Sequence, residues 1–254
     1  MKIDFSKYSS IGIGPICDVL EIKTIEDYDE YFIIGRANNL LIGSCEHKLA
    51  ILSKEFDYIK EKEGLLYVGA ATKSSKLFNY TKRYDLGGVE FLASLPGNLG
   101  GICKMNAGLK EWEIFDYIVN IKTKDGYIDK KDINFGYRYS DISTTIFEVV
   151  LSLQKGFCRQ KLEMFNSLRA NQPSGKSAGS CFKNPSKDYA GRLIEAVGLK
   201  GYRIGDIGFS SQHANFLINY GNANYSDAIA IIKEAKKRVF DSFGISLQEE
   251  IIVL

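Results

Sequence analysis

At 254 residues the chain is long enough to bury a large core and to form one large or two to three small domains. Its 45% apolar and 25% charged content is that of an ordinary globular protein, and a net charge of +2 gives no electrostatic case for nucleic acid or a membrane surface. The five cysteines (Cys17, Cys45, Cys103, Cys158, Cys181) fall in no CxxC spacing and only two histidines accompany them, so no metal site and reduced thiols are expected.

In chain order, residues 19–23 read as a strand and 25–31 as a short acidic helix. Brief apolar strands follow at 32–35 and 50–53. Residues 58–62 and 65–70 flank Glu63-Gly64 as a hairpin, 76–84 is helical, and 117–122 with 127–129 flank Lys124-Asp125-Gly126 as a second hairpin. Residues 147–153 form a further strand. Helices are expected at 160–170 and 191–197, the latter stopped by Gly198, and a strand at 214–219. The clearest helix has Ser226 as N-cap, a stripe of Ala228, Ile232, Ala235, Val239 and Phe243, and Gly244 as its stop. Residues 245–254 read as a terminal strand. The beat is not that of a doubly wound sheet and no GxGxxG follows a strand, so an α+β architecture is expected. The first residues, MKIDFSKYSS, lack the apolar core of a secretion signal. No apolar run approaches the ~20 residues that cross a bilayer, so a cytoplasmic location is expected.

Several segments carry candidate chemistry, each with a plainer reading beside it. IGRANNLLIG (residues 34–43) suits either an ordinary turn or a phosphate cradle of backbone N–H groups. LPGNLGGICKMNAG (95–108) combines a Pro96-Gly97 turn with Gly100-Gly101, which lets backbone approach a large ligand. Asn98 there is a candidate helix start with free N–H groups for an anion; the alternative is a turn before a buried helix. In FGYRYSD (135–141) Arg138 suits a carboxylate fork or a surface stack on a tyrosine. In SAGSCFKNP (177–185) small residues flank Ser180, a hydroxyl that can give a proton, and Lys183, a charge for an anion; the plainer reading is a polar surface loop beside a turn. Glu249 and Glu250 would face opposite ways on a strand, which suits either one inward-pointing carboxyl or a solvated acidic edge. His213 suits a strand cap, and KEAKKR (233–238) a solvated helix face.

Taken in order, GRANNLLI, GAAT (69–72), GVEFLASLPGNLGGICKMNAG, FGYRYSD, QPSGKSAGSCFKNP, AGRLIEAVGLKG, HANFLIN and FGISLQEEI resemble the UDP-N-acetylenolpyruvoylglucosamine reductase (MurB) family over residues 34–251. The first loop departs from the family pattern. Of its glycine triplet only Gly35 remains, Arg36 and Ala37 replace the other two, and Asn38 stands for the serine. The resemblance implies an α+β, vanillyl-alcohol-oxidase-like flavoprotein fold. FAD-binding subdomains would span 1–50 (with 245–254 returning to it) and 51–156, and a substrate domain 157–244. It implies an oxidoreductase in which NADPH reduces FAD, and the flavin passes a hydride to the enolpyruvyl methylene of the UDP-sugar. Arg138 and Glu250 would stabilise the enolate, leaving Glu249 to solvent, and Ser180 would protonate it. FAD would lie against Gly35, Asn38, Asn39 and Leu40, and against Pro96, Gly97, Gly100, Gly101, Asn106, Ala107 and Gly108. Lys183 and Asn184 would meet the substrate's diphosphate and sugar. The span between Arg138 and Ser177 is too short for the tyrosine-bearing loop that some members close over uridine, so this is the compact form. The implied partners are the UDP-sugar and NADPH, with no nucleic acid or membrane, on a monomer. The competing readings are a flavin oxidase on the same scaffold and a non-catalytic flavin- or sugar-nucleotide-binding protein.

Overall fold

The computed structural model describes residues 1–27, 30–170 and 172–254. The chain divides into two compact units, one of residues 1–19, 36–48 and 170–254, the other of 20–35 and 49–169.

The second unit is built on a five-stranded antiparallel sheet in the spatial order Gly126–Asp129, Ile118–Thr123, Glu148–Leu151, Leu65–Gly69, Ile59–Lys62. Both outer pairs are the hairpins expected from sequence. Between Ile59–Lys62 and Leu65–Gly69, Glu63 (φ +54°) and Gly64 (φ +76°) are both left-handed, the backbone that a two-residue turn needs to match strand twist. The middle strand is buried along its whole length. Val68, Ile121 and Val149 from the sheet pack in one core with Leu77 of the helix Ser74–Arg83, Leu99 and Ile102 of the helix Leu99–Lys104, and Phe165 of the helix Arg159–Ala170. Phe165 meets Trp112 edge-on at 5.2 Å. A smaller cluster of Ile22, Ala50, Phe56 and Phe147 sits where Phe32–Ile33 and Leu49–Leu52 run parallel.

The first unit contains a four-stranded antiparallel sheet, Lys176–Ser180, Phe216–Asn219, Ile207–Phe209 and Arg203–Ile204. Its core joins Phe182, Phe209 and Leu217 to Leu193 and Ile194 of the helix Ala190–Ala196 and to Ala228, Ile231, Ala235 and Val239 of the helix Tyr225–Phe243. Lys2–Asp4 pairs antiparallel with the start of Ile16–Ile22, and Ile252–Val253 runs parallel to Leu40–Leu41.

Five sequence expectations are corrected. The acidic helix at 25–31 is a single 3-10 turn over Ile25–Asp27, and residues 28 and 29 lie outside the described residues. The last helix is capped by Asn224, whose side chain accepts from the Asp227 N–H, while the Ser226 hydroxyl donates to Asn224 Oδ1. Its buried stripe includes Ile231 and ends at Val239; Phe243, expected in the stripe, is 41% exposed beside the Gly244 cap. The terminal strand is confined to Ile252–Val253; the residues before it make a single antiparallel bridge, Glu249 with Phe182. Finally, the thiols are not all reduced: Cys17 and Cys45 form a disulfide, while Cys103, Cys158 and Cys181 are free. Cys17 is buried on the strand Ile16–Ile22 and Cys45 follows Leu40–Leu41, so the pairing was invisible to a spacing rule. No helix among the described residues is long and apolar enough to cross a membrane.

Candidate active site

The residues singled out by sequence fall into two groups, one in each unit. In the second unit the loop at 95–108 is braced from below. The Gly97 carbonyl accepts from the Ser74 N–H at 3.0 Å, and Lys73 bridges Asn98. The helix Leu99–Lys104 starts there, but its first two N–H groups are not free for an anion: Leu99 donates to the Thr72 carbonyl and Gly100 to the Ala70 carbonyl, each at 2.9 Å. A Cβ on Gly100 would stand 3.0 Å from Ala70 Cβ, so that glycine serves packing. Gly101 is exposed, and a Cβ there would meet nothing within 4 Å. Beside it, Asn98 Oδ1 is buried without a hydrogen-bond partner among the described residues, which leaves an acceptor for a ligand donor.

Asn106 is fully buried in a left-handed conformation (φ +43°). Its Nδ2 donates to Glu113 Oε2 at 2.6 Å and to the Gly136 carbonyl at 3.0 Å, and its Oδ1 accepts from the Phe115 N–H. Gly108 lies opposite Glu113 in a two-residue ladder, where a Cβ would overlap the Trp112 carbonyl. Asn106 and Gly108 therefore act through the architecture of the loop. Arg138 sits at the tip of the hairpin Phe135–Gly136/Tyr139–Ser140, also left-handed (φ +53°). Its Nη2 donates to the Gly108 carbonyl at 2.9 Å, its Nη1 stands 3.8 Å from Glu113 Oε1, and its guanidinium lies over the Tyr137 ring. Burial pushes the Glu113 carboxyl above its usual range, against the pull of Arg138 and the Asn106 hydrogen bond. Sequence reasoning did not single out Glu113. Its only signal was an acidic residue placed shortly after MNAG in an otherwise apolar and aromatic stretch, WEIF. Gly35, in the same unit, is left-handed (φ +53°) with open space at its Cβ position.

In the first unit, Asn38 and Asn39 follow Ala37, which takes the left-handed conformation (φ +48°) a glycine would adopt more cheaply. The Ser10 hydroxyl donates to the Asn38 carbonyl. Asn39 reaches across the fold: its Nδ2 donates to the Glu250 carbonyl at 2.8 Å and its carbonyl accepts from the Ile252 N–H. Leu40 is buried in the pairing with Ile252. Ser180 ends a strand whose register slips between Ser177 and Ser180, with Gly179 at φ +86°. The segment after Ser180 then runs beside the terminal glutamates. The Glu250 N–H donates to the Cys181 carbonyl and the Lys183 N–H to the Gln248 carbonyl, both at 2.8 Å. Asn215 of HANFLIN clamps the other side, accepting from the Phe182 N–H and donating to its carbonyl.

The first unit thus brings the Ser180–Lys183 segment to Gln248–Glu250 through backbone contacts, and Asn39 to Glu250 through its side-chain amide. Glu249 pairs with Lys236 of the helix Tyr225–Phe243 at 2.7 Å, with both side chains partly exposed (32% and 40%). Asn184 Oδ1 accepts from the Ala190 N–H and so caps the helix Ala190–Ala196. His213 Nδ1 accepts from the Asn215 N–H, in keeping with a local cap. Among the described residues no cluster of three or more His, Cys, Asp or Glu side chains is arranged to hold a metal.

A family model described as UDP-N-acetylenolpyruvoylglucosamine reductase, C-terminal domain, matches residues 171–254. A UDP-N-acetylenolpyruvoylglucosamine reductase of Campylobacter jejuni (strain RM1221) is 46% identical over the full length of both chains. The protein of that name from Helicobacter hepaticus is 45% identical over 99% of this chain and 98% of its own. Among solved structures, the UDP-N-acetylenolpyruvylglucosamine reductase of Thermus caldophilus superposes with a TM-score of 0.86 at 29% identity, covering 100% of this chain and 98% of that one. The α+β fold is that of this structure.

Proposed function

The chain belongs to the UDP-N-acetylenolpyruvoylglucosamine reductase family and is an oxidoreductase, and from that premise we propose that it reduces UDP-N-acetylglucosamine enolpyruvate to UDP-N-acetylmuramate, with FAD as its cofactor and NADPH as reductant. The proposed setting is the cytoplasmic synthesis of peptidoglycan precursors by a monomer. The proposed division of labour assigns residues 1–50 with 245–254, and 51–156, to FAD, and 157–244 to the UDP-sugar.

The residues present fit a flavin dinucleotide. Gly35 and Gly101 offer backbone with open space where a side chain would stand, and Asn98 Oδ1 is a buried acceptor with no partner among the described residues. In this reading Gly35, Asn38, Asn39 and Leu40 hold one part of FAD. Pro96, Gly97, Gly101 and Ala107 hold another, with Gly100, Asn106 and Gly108 setting the loop's shape. When bound, FAD supplies the hydride that adds to the enolpyruvyl methylene carbon, having taken its electrons from NADPH. Negative charge then develops on the neighbouring carbon and spreads into the carboxylate. Arg138 meets that carboxylate as a preorganised cation, and Glu250, when protonated, donates a hydrogen bond to it; removing such a group typically costs about 3 kcal/mol of barrier. Ser180 gives its hydroxyl proton to the carbon. Lys183 and Asn184 bind the diphosphate and sugar.

The observation that carries the reading is the convergence of Ser180–Lys183 with Gln248–Glu250 through the Glu250 and Lys183 N–H bonds, which supports a proton donor and an enolate-stabilising carboxyl acting in one site. The test is an anaerobic visible spectrum of the purified protein before NADPH, after NADPH, and after the enolpyruvyl substrate. A flavin band that bleaches with NADPH and returns only on adding substrate is the expected result. A band that bleaches and ignores the substrate but returns with O₂ indicates an oxidase, and no band after adding FAD removes the cofactor assignment.

A further inference from the structure

Glu113 is a carboxylate that packing alone does not call for. Its partner Asn106 also donates to the Gly136 carbonyl and accepts from the Phe115 N–H, so a neutral acceptor at position 113 would complete that amide's bonding. A carboxylate with a side chain only 21% exposed is costly unless a cation offsets it, and the cation here is Arg138, itself 16% exposed. The two oxygens of Glu113 divide their work: Oε2 takes the short bond from Asn106, and Oε1 faces Arg138 Nη1 at 3.8 Å, a charge contact longer than a hydrogen bond. The same guanidinium donates through Nη2 to the carbonyl of Gly108, the residue paired with Glu113 in the ladder. One rung, Gly108/Glu113, therefore fixes Arg138 at two points. Asp116 faces Glu113 from the next turn and accepts its backbone N–H, which pins the main chain at that rung.

We propose that Glu113 is a positioning residue for the reduction: it holds the Arg138 guanidinium in orientation for a substrate carboxylate and ties it, through Asn106, to the glycine loop. The inference rests on the reductase reading. It assigns Glu113 no contact with substrate and no proton transfer; its effect passes through Arg138.

The test is a double-mutant cycle read on the two half-reactions of the FAD-loaded enzyme. Glu113→Gln is expected to slow reoxidation of the reduced flavin by UDP-N-acetylglucosamine enolpyruvate about tenfold, within the range of coupling energies for residues in contact. Reduction by NADPH and the thermal midpoint should stay near wild type. In an Arg138→Ala background the same substitution should change reoxidation less than about twofold, because its route of action is gone. Glu113→Asp, which keeps the charge, should recover part of the rate. A full tenfold effect in the Arg138→Ala background overturns the proposal, as does a Glu113→Gln enzyme with unchanged reoxidation. If wild-type reduced enzyme is not reoxidised by this substrate, the reductase reading fails instead. Crystal structures of the Glu113→Gln and Glu113→Asp proteins then decide the positioning claim: a guanidinium that leaves the Gly108 carbonyl in the first and keeps it in the second supports it, and one unmoved in both overturns it.

Discussion

The two groups of candidate site residues are held by opposite means. In the second unit the loop at 95–108 and Arg138 are fixed by neighbours within about 30 residues: Ala70 and Thr72 below the helix start, Glu113 and Phe115 around Asn106, Gly108 against Arg138. In the first unit the equivalent work is done across most of the chain. Asn39 bonds to Glu250 at a separation of 211 residues and Ile252 pairs with Leu40, while the Cys17–Cys45 disulfide adds a shorter closure of sequence separation 28. Local closure can be written in glycines and turn residues. Distant closure depends on the whole unit being folded, so its parts carry little local signature.

The largest expected effect tests whether the distant assembly in the first unit carries chemistry. Ser180→Ala removes one hydroxyl from a half-exposed strand end, so stability should barely move. If Ser180 is the proton donor, steady-state turnover falls by about 10²–10⁴-fold while NADPH still bleaches the flavin. Stopped-flow absorbance separates the two steps, and normal turnover removes Ser180 from the mechanism.

Next in size is Gly108→Ala, aimed at the local closure of the second unit. The new Cβ would overlap the Trp112 carbonyl and stand 2.7 Å from Glu113 Cα, both backbone positions that a rotamer change cannot relieve. A loss on the order of 4 kcal/mol is expected from urea unfolding, at the severe end for a single substitution. A loss below about 1 kcal/mol would mean that the Gly108/Glu113 rung opens easily, and would weaken the claim that this rung holds Arg138.

Third comes the disulfide. A loop of this length is worth about 3.6 kcal/mol on the chain-entropy model, so Cys45→Ser should lose close to that in non-reducing unfolding. Amide exchange should speed up at Gly43 and Leu254, which bond across the Leu40–Leu41 pairing, and stay slow at Ala107 and Ile114 in the other unit. Alkylation of the denatured, unreduced wild type should label Cys103, Cys158 and Cys181 only; labelling of all five breaks this half of the comparison.

What was legible in the sequence follows the same division. Glu63-Gly64 and Lys124-Asp125-Gly126 announced their hairpins because turn chemistry is local. The spacing of Ala228, Ile232, Ala235 and Val239, with Gly244 in the left-handed cap, announced the last helix. The choice between Asn224 and Ser226 as its cap was not legible, since both residue types cap well and only the fold decides which side chain meets the Asp227 N–H. The parallel pairing of Ile252–Val253, the Cys17–Cys45 bond and the Lys236–Glu249 pair were hidden for a different reason: each joins positions with no shared local pattern. Most candidate site residues were reached by resemblance rather than by spacing, and Glu113 escaped both routes because a single glutamate in an apolar stretch reads as an exposed charge until the hairpin carrying Arg138 is placed beside it.

The smallest structural perturbation gives the sharpest reading of the second loop. Gly100 and Gly101 are adjacent in sequence, yet Gly100 packs on Ala70 and gives its N–H to the Ala70 carbonyl, while Gly101 presents open space. If that opening exists only for packing, Gly101→Ala should be neutral in every respect. If it lies against the cofactor, stability and cofactor binding must part company. Alanine is the better helix former by up to about 1 kcal/mol, so the apoprotein should be unchanged or slightly more stable. FAD affinity should at the same time fall at least about tenfold, the equivalent of 1.4 kcal/mol, because a methyl group then stands where the ligand approaches the backbone. Fluorescence titration of apoprotein with FAD, beside a denaturant melt of the same sample, measures both. Lost affinity with retained stability assigns the open glycine to FAD. Unchanged affinity would make the loop a scaffold, leaving Asn98 Oδ1 as the acceptor there still without a partner.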